Sequence, residues 1–109
     1  MNITPEESEE LKILIGKDLD LAESTALTKV NAYDELKEYL VQEIKILLSS
    51  NFQQLLNVLY RIDVSETKAG QAIALKEPSA IADKLAELIL ERQYQKAKTR
   101  IAYRNRSND

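Results

Sequence analysis

The stretch Pro78–Arg104, PSAIADKLAELILERQYQKAKTRIAYR, decides how the rest of the chain is read. It holds no glycine and no proline after its first residue, and its apolar residues recur at helical spacing. Proline suits a first helical turn, where its missing N–H would have no partner anyway. The spacing predicts one helix of about 27 residues. Advancing about 100° per residue, Ile81, Leu85, Leu88 and Ile89 share one side, flanked by Ala82 and Ala86, with Asp83, Glu87 and Glu91 opposite. Carried onward, the same line meets Arg92, Lys96 and Thr99, then Tyr103, while Leu90, Tyr94, Ala97 and Ile101 gather on the other side. The apolar stripe therefore changes face near residue 91.

Two arrangements account for that change. In one, the helix outruns its own core and Leu90, Tyr94, Ala97 and Ile101 bind a partner, with a second copy of the chain as the specific form. In the other, the cationic line faces the protein and meets carboxylates, for which the acidic first helix is the candidate. The first arrangement is the leading expectation.

The segments before Pro78 are shorter. Thr4-Pro5-Glu6-Glu7 is a helix start: Thr4 can cap, Pro5 fits the first position, and Glu7 completes a capping box. Leu11, Leu14 and Ile15 follow on one face, with Gly16 as one stop and Ala22 as a later one. Residues 16–30 read as a connector with at most one helical turn, because Ser24, Thr25 and Thr28 weaken a helix. Asn31 can cap a second helix striped by Leu36, Leu40, Ile44, Leu47 and Leu48. Ser49-Ser50-Asn51 breaks it, and Phe52, Leu55, Leu56, Leu59 and Tyr60 mark a third. Asp63-Val64-Ser65 is a turn, and Ser65 can cap a short fourth helix that stops before Pro78.

The expected architecture is a single all-α domain spanning residues 1–109, a four- or five-helix bundle with a long C-terminal helix. The second and third helices and the long last one are expected to supply most of the core, through Leu36, Leu40, Ile44, Leu47, Phe52, Leu55, Leu56, Leu59, Leu85, Leu88 and Ile89. Tyr39, Ile46, Ile13, Val58 and Leu90 fall off these stripes and are expected nearer the surface.

Composition excludes several function classes. The 109 residues include no Cys, no His and no Trp, with two Gly and two Pro. Disulfide frameworks, zinc fingers, thiol nucleophiles and Ser-His-Asp triads are thereby removed. So few turn formers argue against an all-β fold. No apolar run approaches the roughly 20 residues of a membrane span, and the acidic start lacks the pattern of a signal peptide. The expected location is cytoplasmic.

Charge is uneven. Residues 1–55 hold five basic and eleven acidic residues, and residues 56–109 hold ten basic and seven acidic. The line Arg92, Lys96, Arg100, Arg104 runs at four-residue spacing and is the candidate polyanion-binding stripe. Against it stands a sequence pI near 5.1, far from the basic footprint of nucleic-acid binders. Residues 55–75 have the outline of a helix-turn-helix. Its second helix offers Thr67, Lys68 and Gln71 as base readers and puts Glu66 where a phosphate would lie. Asp18 and Asp20 fail as a calcium loop, because Ala22 takes the third acidic position and no glycine follows. Glu43 beside Tyr39 and Glu66 beside Asp63 are more simply helix surface or caps than catalytic pairs. No enzyme activity, cofactor, metal or membrane partner is expected.

Two segments, Phe52–Glu66 (FQQLLNVLYRIDVSE) and Glu91–Arg100 (ERQYQKAKTR), resemble a family of small uncharacterised bacterial all-helical proteins with an LYRIDVSE-like core and an ERQxQKxxTR-like stretch. The resemblance covers about a quarter of the chain. It implies a bacterial cytosolic protein, carries no catalytic residues, and suggests that Arg61, Asp63, Glu66, Glu91, Arg92 and Arg100 form a structural ion-pair network. The expected function is a non-enzymatic protein–protein interaction module. The competing expectation is nucleic-acid binding through residues 55–75 or the basic end.

Overall fold

The computed structural model describes residues 3–21 and 33–107, and within them every regular element is a helix. We number them α1 (Pro5–Asp18), α2 (Tyr33–Ser50), α3 (Phe52–Ile62), α4 (Glu66–Ile73) and α5 (Pro78–Ser107). Most of the connector at residues 16–30 and the Asn31 cap lie outside the described residues.

Local chemistry sets the ends as the sequence predicts. Glu7 N–H donates to Thr4 Oγ1 at 3.1 Å, and Thr4 N–H donates to Glu7 Oε1 at 3.0 Å, so the capping box forms. Asn51 accepts from Gln54 N–H, and Ser65 from Lys68 N–H. Two helices stop by the same device. Asp63 sits at φ 69°, and Val64 N–H reaches back to the Leu59 carbonyl at 3.1 Å. Asp20 sits at φ 59°, and Leu21 N–H reaches the Gly16 carbonyl at 2.6 Å. Both are left-handed caps in which an aspartate stands where glycine is commonest. The first helix thus runs past Gly16, which lies buried inside it, and ends at Asp18.

At about 1.5 Å per residue, α5 is about 45 Å long. It sets the long axis of a molecule 49 × 30 × 23 Å in extent. The other helices are laid against it. α2 runs antiparallel to its first half, with Lys37 between Asp83 and Glu87 and with Tyr33 by Glu87 and Glu91. α1 runs antiparallel to its second half, with Asp18 at Gln93 and Glu10 at Arg100 and Arg104. α3 and α4 close the side of the first half.

Leu36, Leu40, Ile44, Leu55, Leu59, Leu85, Leu88 and Ile89 are buried as expected, and Leu47 and Leu56 are half-buried. Three residues, Phe52, Val58 and Leu90, depart from expectation. Phe52 is 42% exposed, since it opens α3 at the edge of the bundle. Val58 and Leu90 are buried, because α3 and α5 are each covered from more than one side. α1 contributes Leu11 and Ile15, both fully buried, so it belongs to the core with α2, α3 and α5.

Candidate functional site

The four residues expected to bind a partner lie along the second half of α5, and the chain covers most of them itself. Leu90 and Ala97 are fully buried. Tyr94 is half-buried, donates its hydroxyl to Glu7 Oε1 at 3.2 Å, and carries Lys98 Nζ 5.2 Å from its ring centre. Burial and the Glu7 carboxylate both push the Tyr94 hydroxyl above the usual tyrosine range. Ile101 is half-buried. The stripe does change face, and the element that covers its second half is α1 of the same chain.

The reason lies in polar residues that the stripe leaves out. Leu85, Ile89, Gln93 and Ala97 stand four residues apart, and all are fully buried. The buried arc therefore turns by roughly a third of a circle, less than the apolar residues alone imply. On α1 the matching line is Glu10, Leu14 and Asp18, also buried. Gln93 Nε2 donates to Asp18 Oδ2 at 2.8 Å and lies 3.5 Å from the Leu14 carbonyl. Gln93 Oε1 has no partner among the described residues. The signal that could have found this seam is a four-residue apolar line, Leu85 and Ile89, that is interrupted at Gln93 and resumes at Ala97.

The candidate polyanion stripe is broken up by the same helix pair. Arg104 Nη2 donates to Glu10 Oε2 at 2.8 Å and Arg100 Nε lies 3.3 Å from Glu10 Oε1, so two of the four cations face a buried carboxylate. Hydrogen bonding to Glu10 and its charge raise the Arg104 pKa further. Arg92 lies 3.7 Å from the exposed Asp63. Lys96 forms no ion pair among the described residues. Burial lowers its pKa, Asp18 and Asp63 work against that, and Arg92 and Lys17 add to it.

Of the six residues expected to form one network, Arg92 and Asp63 pair with each other. Arg100 turns to Glu10. Arg61 donates to the Asp18 carbonyl at 2.8 Å and lies 3.6 Å from Asp20. The network is thus three separate ties, two of them to α1.

The helix-turn-helix outline at residues 55–75 is present as α3, the turn Asp63–Ser65 and α4. Between the two helices lies a groove of about 330 Å³. Leu59, Val64, Ala69 and Ile73 form its apolar floor, and Tyr60, Asp63 and Glu66 stand at its rim. Tyr60 is 83% exposed. Among the described residues no lysine or arginine lines this groove. Gly70 lies beside it, inside α4, and apart from its own stretch of helix no described residue comes within 4 Å of where a Cβ would stand. Sequence reasoning passes over Gly70, although a glycine inside a short helix is itself a signal.

Among the described residues no group of three or more Asp or Glu is placed to hold a metal ion. No described helix is long and apolar enough to cross a membrane. No family model matches the chain, and neither a curated protein nor a solved structure is significantly similar to it.

Proposed function

We propose that the protein is a non-enzymatic interaction module whose docking surface is the groove between α3 and α4. The occupant is a segment of a partner protein that carries apolar anchors beside at least one lysine or arginine. Gly70 is the observation that carries this reading. Glycine inside a helix costs about 0.5–1 kcal/mol relative to alanine. Neither positive φ nor crowding requires one here. Its absent side chain keeps the groove open, and a stability cost without a packing reason is expected at a working surface. The apolar floor supplies the anchor sites, and Asp63 and Glu66 supply the charge that selects a basic flank. The same carboxylates repel a phosphate backbone, which weighs against the nucleic-acid reading of this unit.

The test places a photo-crosslinking amino acid at Tyr60 in the native host. The expected result is a discrete adduct that disappears in Gly70→Gln. Glutamine is the better helix former, so that variant keeps its fold, which circular dichroism checks. An adduct that persists in Gly70→Gln, or no adduct at all, overturns the reading.

A further inference from the structure

We propose that the cleft between the end of α1 and the middle of α5, lined by Lys17, Asp18, Arg92, Lys96 and Arg100, binds a small phosphate-bearing molecule. The cleft has a volume of about 360 Å³. That falls within the roughly 300–1,000 Å³ of small-molecule sites. Four cations and one carboxylate line it, in a chain whose formal net charge is −3.

Two of those cations already meet carboxylates outside the lining, so the charge left without an ion pair rests on Lys17 and Lys96. Asp18 Oδ2 already accepts from Gln93, which holds the carboxylate toward the helix seam. Arg100 is tied to Glu10 at 3.3 Å, and Arg92 lies 3.7 Å from the exposed Asp63. Lys17 and Lys96 form no ion pair among the described residues. The lowered pKa of Lys96 reflects the same surroundings: partial burial beside Arg92 and Lys17. Complementing a helix dipole accounts for Lys17, in the last turn of α1, but not for Lys96, which lies well before Ser107.

The ligand class follows from the donors. Lys17 and Lys96 offer two ammonium groups without ion-pair partners, with the Arg92 and Arg100 side chains beside them, and a compact anion with several oxygens, such as a phosphate group, suits that set. An extended nucleic acid fits less well, since Arg100 and Arg104 turn to Glu10 and leave no continuous cationic track along α5.

The test is a nuclear magnetic resonance titration of the full chain with inorganic phosphate, then glycerol phosphate, in chloride buffer. A single-stranded oligonucleotide is the third arm. Saturating shifts are expected at Lys17 and along residues 92–100. Lys96→Met is expected to weaken binding at least tenfold while its thermal midpoint stays equal or rises, as befits a cation kept for function. Lys17→Ser repeats the test on the other helix, and Lys76→Met, outside the cleft, leaves binding unchanged. Tighter binding of glycerol phosphate than of inorganic phosphate assigns the organic ester, and the reverse assigns the free ion. Absence of saturation, a Lys96→Met affinity within twofold of the parent, or oligonucleotide binding that tightens with strand length overturns the proposal.

Discussion

The two halves of α5 are held by different chemistry. The first half buries Ala82, Leu85, Ala86 and Ile89 against α2, α3 and α4. The second half meets α1 through Gln93, Ala97 and two arginines facing Asp18, Leu14 and Glu10. Apolar burial is non-directional and strong, about 25 cal/mol per Å². Hydrogen bonds and ion pairs are directional, and each adds only about 1 kcal/mol net. Both seams bury apolar side chains, but only the second adds buried polar ties, and these fix which way α1 lies.

The largest effect should come from breaking the apolar seam. Leu85→Ala removes a fully buried side chain from the meeting point of the helices. A loss of about 2–5 kcal/mol is expected, read from urea unfolding. A loss below about 1 kcal/mol would mean that the first half is not tightly packed.

What the sequence reveals follows the range of the interaction. Thr4, Pro5 and Glu7 act within one turn, so the start of α1 is readable. Asp63 and Ser65 likewise mark the turn between α3 and α4. The extent of α5 is readable from its unbroken periodicity. The cover on its second half is not, because Gln93 and Asp18 are 75 positions apart. A polar residue reads as surface until its partner is known, and that is why Gln93 and Glu10 carry no signal of burial by themselves. Gly70 escapes notice for another reason: the groove beside it depends on how α3 and α4 cross, which no local pattern encodes.

The polar seam is the second target. Gln93→Leu leaves the buried Asp18 carboxylate without its donor. The expected loss is about 1–3 kcal/mol. Asp18→Leu in the same chain removes the abandoned acceptor, so the double variant should lose less than the two single losses added together. A coupling above about 0.5 kcal/mol in this double-mutant cycle supports the seam, and additivity within that margin counts against it.

A smaller change should run the other way. Gly70→Ala adds a methyl group where, apart from its own stretch of helix, no described residue lies within 4 Å. The helix is expected to gain about 0.5–1 kcal/mol, seen as a higher urea midpoint at unchanged slope. A destabilised variant would show that the glycine is required by the fold, which would remove the main support for the docking groove.

The smallest effect separates a lysine on each half by sign. At Lys37, burial pulls the pKa down, but hydrogen bonds and charges from Asp83 and Glu87 outweigh it and raise the pKa above 10.5. Its contribution is present below the unfolded value and is lost as pH rises through the folded one. At Lys96, burial, Arg92 and Lys17 outweigh Asp18 and Asp63 and lower the pKa below 10.5. Between its folded and unfolded values the unfolded chain binds more protons, so stability rises with pH. Comparing each Lys→Met variant with the parent from pH 8 upward isolates these contributions. The deficit of Lys37→Met should shrink as pH rises past the lysine range. The advantage of Lys96→Met should shrink as pH approaches 10.5 from below, because the parent is relieved of its unfavourable charge. If Lys96→Met instead shows a deficit at pH 8, the ammonium is stabilised where it stands, and the cleft is not the unneutralised site that a phosphate would complete.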